Sequence, residues 1–170
     1  GGIDSALVAT VAADSLGADN VLAVMMPTRF TADLSFDLAK QLVTNLRIPY
    51  VVRPIEELFK GHQALLANDF AGKAWDVTEE NLQARIRGTV LMAYANKFGR
   101  LVITTGNKSE TAVGYSTLYG DTAGAFALIK DVYKTDVWAL ARFVNRHWER
   151  EVIPEALINR PPSAELREGQ

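Results

Sequence analysis

The sequence contains no cysteine. Disulfides, thiolate zinc sites, persulfide chemistry and cysteine nucleophiles are excluded at once, and the chain is expected in a reducing, cytoplasmic setting. Histidine is scarce as well, with only His62 and His147, neither in a motif, so each reads as a structural residue. An excess of positive charge is lacking: 18 Lys and Arg face 20 Asp and Glu, for a formal net charge of -2. That balance leaves no electrostatic footprint for wholesale nucleic-acid binding. No apolar run has the length needed to cross a bilayer, and no charged, apolar, small-residue series reads as a signal peptide. Neither nucleic acid nor membrane is therefore an expected partner.

What is present is a chain of 170 residues, 48% of them hydrophobic, which suffices for one well-buried core and one domain. Its elements alternate. Residues 5 to 16 read as a mostly buried helix ended by Gly17, and Val21 to Met26 as a strand stopped by Pro27. Leu34, Leu38, Leu42 and Leu46 recur every four residues among polar neighbours, the mark of an amphipathic helix. "PYVVRP" reads as a second strand, residues 55 to 67 as a helix, and residues 68 to 78 as a loop matching no motif. Thr78 with the acids behind it opens a long helix to about Phe98, and "RLVITT" is a third strand. A polar, glycine-rich stretch runs from Gly106 to Gly124, and Lys134 to Arg150 reads as a further helix. Strands alternating with helices predict an α/β fold with a parallel sheet covered on both faces.

The chain opens "GGIDSALVATVAA". A glycine pair lets backbone approach a bulky anion, and the helix behind it offers unsatisfied N–H groups carrying roughly half a positive charge. The same letters also suit an ordinary helix start capped by Asp4 or Ser5. A helix terminus contributes about 0.3 to 1 kcal/mol to an exposed charge, whereas even millimolar nucleotide binding needs about 4 kcal/mol. Further cationic groups must come from downstream. In folds of this type a phosphate-binding turn follows a strand. The chain is accordingly read as a piece of a longer protein, incomplete at its N-terminus by a first central strand and incomplete at its C-terminus.

Three later stretches bear on that turn. In "TEENLQARIRGTVLMAYAN", Asn81, Arg85 and Gly88 fall at i, i+4 and i+7 and share a helix face, while Leu82, Ile86 and Val90 share another. An arginine beside a residue with no side chain suits close approach of an anionic ligand; the alternative is a solvated arginine with glycine as a packing point. Arg87 points elsewhere and reads as structural. "TTGNKSETAVGYSTLYGD" follows a strand, where ligands bind in open parallel sheets, and supplies Thr104, Thr105, Lys108, Ser109, Glu110 and Asp121. Asp4 and Glu110 both follow strand ends, so they could converge on magnesium, which takes one or two carboxylates plus phosphate oxygens. Glu110 could equally be a helix-start acid favoured by the dipole. Finally come Lys134 and "RPPSAELREGQ", whose paired prolines place Ser163 on a loop able to fold over a site, or on a linker.

Together "GGIDS", "ENLQARIR", "TTGNKSE", "GYSTLYGD", the lysine of "YKTD" and "RPPSAEL" resemble the NAD synthetase family, in particular the synthetase portion of its glutamine-dependent form, over the whole length and in order. The opening loop alone is shared by all N-type ATP pyrophosphatases. The family's loop begins with a serine ahead of the two glycines, whereas this sequence starts at the glycines themselves. The resemblance implies a Rossmann-like, doubly wound parallel sheet of the adenine nucleotide alpha hydrolase kind. It implies ATP-dependent amidation of nicotinic acid adenine dinucleotide through an acyl adenylate, with ammonia derived from glutamine by a glutaminase domain absent here. It implies magnesium as cofactor and a homodimer or larger homo-oligomer. By the same resemblance Gly1, Gly2, Asp4 and Ser5 cradle ATP phosphates; Asp4 and Glu110 hold metal. Thr105 contacts nucleotide, and the adenine lies near Met25 and "PTRFT". Lys134 and Ser163 steady the triphosphate and departing pyrophosphate. Asn81 and Arg85 hold the dinucleotide, with Asp121 at its nicotinate end, and the catalytic set is Asp4, Lys134 and Asp121. Three other readings compete: a related pyrophosphatase amidating another acceptor, a transfer-RNA-modifying relative that should be basic, and a non-catalytic nucleotide-binding module.

Overall fold

A computed structural model describes residues 2–170. Helix α1 (Ile3–Leu16) is apolar on nearly every side, and Ile3, Ala6, Leu7, Val8, Thr10, Ala12 and Ala13 are all buried in it. A helix of that kind has no solvent face and belongs inside. Gly17 ends it at φ 86°, the left-handed range that favours glycine. Strand β1 (Ala23–Met25) pairs in parallel with β2 (Tyr50–Val52), and between them runs α2 (Asp33–Leu46). Leu38, Leu42 and Leu46 of α2 are buried whereas Leu34 is 54% exposed. The reason is geometric: a four-residue repeat advances about 40° beyond a full turn each time, so the first leucine rotates off the stripe.

After β2 come α3 (Glu56–Leu66) and α4 (Val77–Phe98). Asp76, not Thr78, caps α4: its carboxylate accepts from the Thr78 N–H at 2.7 Å, while Glu79 reaches back to the Asp76 N–H at 3.0 Å. This is a reciprocal capping box. The preceding loop, silent in motif terms, uses Trp75 to seal a small core: its ring lies edge-on to Phe30 and to Phe59, each at 5.8 Å between centroids. Strand β3 (Ile103–Thr104) pairs in parallel with β4 (Phe126–Ala127), a strand the sequence reading does not contain. The polar stretch between them holds a short helix, α5 (Lys108–Ala112), with Glu110 in its first turn, as the helix-start alternative for that residue had it. Helix α6 (Lys134–His147) and α7 (Glu155–Asn159) complete the chain. The main core joins α1, α2, α6 and α7, with Val137, Ala141, Val152 and Ile153 fully buried.

The strands form two separate parallel pairs, β1–β2 and β3–β4. Ala23 and Met25 bond toward β2, so the backbone groups of Val24 turn the other way. Val102 accepts from Ala125 on the β4 side, which turns Ile103 outward in the same manner. Val24 and Ile103 both line a cavity of about 800 Å3 walled by α1 and α4, an apolar groove between the two pairs that opens toward Gly2, Ser5 and Thr105. No helix is long and apolar enough to cross a membrane among the described residues.

Candidate active site

Three helix starts meet at one place. Helix α1 begins at Ile3 with Gly2 as its N-cap in extended conformation (φ -97°, ψ 176°) and no capping side chain. Neither Asp4 nor Ser5 is the cap; both lie in the first turn, and the Ser5 hydroxyl donates to the Gly2 carbonyl at 2.9 Å. The first N–H groups of α1 are thus left without an internal partner, as a phosphate-binding turn requires. Helix α5 starts at Asn107, whose side chain accepts from the Glu110 N–H at 3.0 Å while Glu110 accepts from the Asn107 N–H at 3.2 Å. The start of α6 is fixed on α5, because the Lys134 N–H donates to Ser109 Oγ at 3.0 Å.

These starts deliver three charged groups to one point. The Lys134 ammonium pairs with Asp4 Oδ2 and stands 3.8 Å from Glu110 Oε1. Asp4 is held from its other side by the Asn107 amide, which donates to Oδ1 at 2.8 Å. The side chains of Asp4 and Lys134 are 14% and 18% exposed, Glu110 32%, so the ion pair is shielded and its Coulomb energy little screened. Burial pushes the Glu110 carboxyl above the usual range; the charges of Asp4 and Asp121 push the same way, against the Asn107 N–H and Lys134. Two carboxylates thus face one ammonium. Among the described residues no cluster of three or more His, Cys, Asp or Glu forms a larger metal cage.

A second grouping lies on α4. Thr117 Oγ1 donates to Asn81 Oδ1 at 2.8 Å, the Thr117 N–H donates to Asp121 Oδ1 at 2.5 Å, and Arg85 Nε donates to the Leu118 carbonyl at 3.2 Å. Asn81, Arg85 and Asp121 are therefore drawn to one helix–loop junction. Gly88 is not a free approach for a ligand. A Cβ there would sit 2.8 Å from the Tyr119 carbonyl oxygen, so glycine is needed for the loop backbone itself, and the packing alternative holds. Gly120 answers from the loop side, where a Cβ would meet Ala84 Cβ at 2.8 Å.

Gly1 lies outside the described residues. Gly2, Ser5, Met25 and Thr105 border the same cavity as Ala164 and Glu165. Ser163 is not bonded to Lys134; its hydroxyl donates to the Gln170 carbonyl at 2.8 Å and is exposed. Arg87 is structural as read, its Nε donating to the Met26 carbonyl at 3.1 Å, and burial lowers its guanidinium pKa to about 10. Sequence reasoning missed Asn107, which is fully buried and orients both carboxylates. The signal was present as an Asn followed three residues later by Glu after a strand, a capping pattern.

A family model described as NAD synthase matches residues 1–170. The glutamine-dependent NAD(+) synthetase of Thermotoga maritima is 54% identical over 170 residues, covering 100% of this chain and 30% of that protein. The chain thus spans less than a third of the length of this curated relative. Among solved structures, the glutamine-dependent NAD+ synthetase of Acinetobacter baumannii in complex with adenosine diphosphate superposes with TM-score 0.92 at 47% identity, covering 96% of this chain and 31% of that one. The NMN synthetase of Francisella tularensis superposes with TM-score 0.87 at 28% identity, covering 99% and 66%. These likenesses place the fold among the Rossmann-like nucleotide-binding α/β proteins. A family match that runs the full length of a chain whose glycine-led helix and lysine-bridged carboxylates meet at one point leaves one conclusion: this chain belongs to the NAD synthase family.

Proposed function

We propose that the chain is the ATP-cleaving, amide-forming part of a glutamine-dependent NAD synthetase acting on nicotinic acid adenine dinucleotide. The observation that carries the reading is Lys134 standing between Asp4 and Glu110 at the uncapped start of α1. The nicotinate carboxylate attacks the α-phosphorus of ATP, pyrophosphate leaves, and an acyl adenylate remains; ammonia then adds to that carbonyl, loses a proton, and AMP departs with the C–O bond electrons. A carboxylate is a poor acceptor for ammonia and the adenylate a good one, so phosphate cleavage provides the activation. Such chemistry asks the protein for positioning and charge neutralisation more than for a covalent nucleophile, in keeping with a cysteine-free chain.

In this reading Gly2, Ser5 and the free N–H groups of α1 cradle the phosphates, and Lys134 moves from its carboxylates to the phosphate oxygens as ATP binds. Asp4 and Glu110 would hold a magnesium ion, which when bound supplies charge neutralisation to the triphosphate. Thr105 borders the nucleotide and the adenine lies by Met25. Ser163 would turn from Gln170 to the pyrophosphate. Asn81, Arg85 and Asp121 would take the dinucleotide. Exposed Leu118 and Tyr119, at 61% and 73%, stand at that junction and support its cover by a second subunit of a homodimer. Ammonia would come from glutamine hydrolysed on a separate domain. The apolar groove between β1 and β3 supports an additional strand seated between them ahead of the glycine turn.

The test combines the intact enzyme with ATP, magnesium, ammonium and nicotinic acid adenine dinucleotide and follows pyrophosphate and NAD. The likeness to an NMN synthetase makes nicotinic acid mononucleotide the acceptor to run in parallel. Pyrophosphate with the dinucleotide supports the reading; pyrophosphate with the mononucleotide alone reassigns the acceptor, and none with either favours a non-catalytic nucleotide-binding module.

A further inference from the structure

Gln83 is fully buried in the first half of α4, between Asn81 and Arg85, and no step above uses it. Its amide works in two directions. Nε2 donates to the Leu166 carbonyl at 2.8 Å and to the Glu79 carbonyl at 3.4 Å, and Oε1 accepts from Thr28 Oγ1 at 3.4 Å. Thr28 lies in the "PTRFT" loop that leaves β1, and one helical turn along, Arg87 holds the Met26 carbonyl of the same loop. Leu166 belongs to the segment that carries Ser163. That segment is pinned at both ends, by Arg160 on Glu165 at 2.7 Å and on Ser35, and by Arg167 Nε on Glu80 at 3.3 Å. Ala164 and Glu165, inside it, border the cavity shared with Gly2 and Ser5.

We propose that Gln83 is a positioning residue for the nucleotide: it sets the register of the Ser163-bearing segment against the loop after β1, so that both sides of the ATP site are placed by one side chain. A carboxamide is the group that serves, because it offers a donor to one carbonyl and an acceptor to a hydroxyl at once. Glutamate keeps the acceptor and loses the donor; methionine keeps the volume and loses both. This rests on the reading of Ser163 and Met25 as bordering ATP. A side chain that only stabilised α4 would affect the dinucleotide site equally, since Asn81 and Arg85 flank it on the same helix.

The experiment compares the intact enzyme with its Gln83→Glu and Gln83→Met variants in the coupled assay and in limited trypsin digestion. NAD formation by the unchanged enzyme establishes the assigned reaction, and its failure there falls on that assignment alone. Given that activity, both variants are expected to raise the KM for ATP by about tenfold to a hundredfold, to leave the KM for the dinucleotide within about twofold, and to speed cleavage after Arg167. Equal movement of both KM values, movement of neither, or unchanged cleavage overturns the proposal. Should a buried substitution prevent folding, Arg167→Ala loosens the same segment from the surface; a rise confined to the ATP KM supports the assignment, and no rise overturns it.

Discussion

Lys134 and Asp4 stand 130 residues apart in the chain and form an ion pair at the meeting point of two helix starts. The pair is shielded and each partner has a second acidic or polar neighbour: Glu110 for the lysine and Asn107 for the aspartate. In the proposed reading this ammonium, held by carboxylates with the start of α1 beside it, neutralises a polyphosphate. Lys134→Ala in the intact enzyme should lower kcat/KM for ATP-dependent pyrophosphate release by about a hundredfold to a thousandfold, the scale for loss of one preorganised charge-stabilising donor. A loss below tenfold would remove Lys134 from the chemistry.

Asn107 gives a test of geometry without removing a helix cap. Asn107→Asp retains the oxygen that accepts from the Glu110 N–H but replaces the amide donor facing Asp4 with a second anion. Repulsion at that spacing should displace Asp4 and weaken activity at least tenfold, while the helical signal by circular dichroism stays unchanged. Asn107→Ala should in addition cost about 1 to 2 kcal/mol in denaturant unfolding, through the lost cap.

The raised pKa of Glu110 sets a pH dependence with a definite sign. Because the folded carboxyl holds its proton at a higher pH than the unfolded one, the folded state binds more protons just above pH 4.5. Its contribution therefore favours folding at and below that pH and is lost as pH rises through the folded pKa. Glu110→Gln, which keeps a capping-box side chain, should flatten this part of the stability curve measured by urea unfolding as the pH rises above 4.5. If Glu110 holds magnesium as proposed, the same variant should raise the magnesium concentration needed for half-maximal activity, since a neutral amide replaces a carboxylate. A stability curve steeper in the variant than in the parent would contradict the assignment.

Gly88 and Gly120 interlock α4 with the loop that carries Asp121. Gly88→Ala drives a methyl group into the Tyr119 carbonyl oxygen, backbone that cannot swing aside, and should destabilise the protein by about 1 to 3 kcal/mol. Displacement of the loop should also raise the KM for the dinucleotide, with the KM for ATP nearly constant. Thermal unfolding and steady-state kinetics on the same preparation read both effects.

The sequence by itself determined most of the elements, because their signals are local. The mostly buried helix read over residues 5 to 16, which the structure begins at Ile3, the leucine stripe of α2 and the glycine after α1 each impose their structure through neighbours a few residues away. Composition alone removed cysteine chemistry, and the ordered motifs carried the family. Short elements were less legible: β4 has two residues and α5 five, too few for a period to register, and the β4 pairing depends on a partner 23 residues upstream. Tertiary structure decided which groups meet. Only the packing of α1, α5 and α6 puts Asp4, Glu110 and Lys134 on one point, turns Gly88 from an opening into a contact, and gives Gln83 its two partners, because each of those relations joins segments whose separation in the chain carries no record of their distance in space.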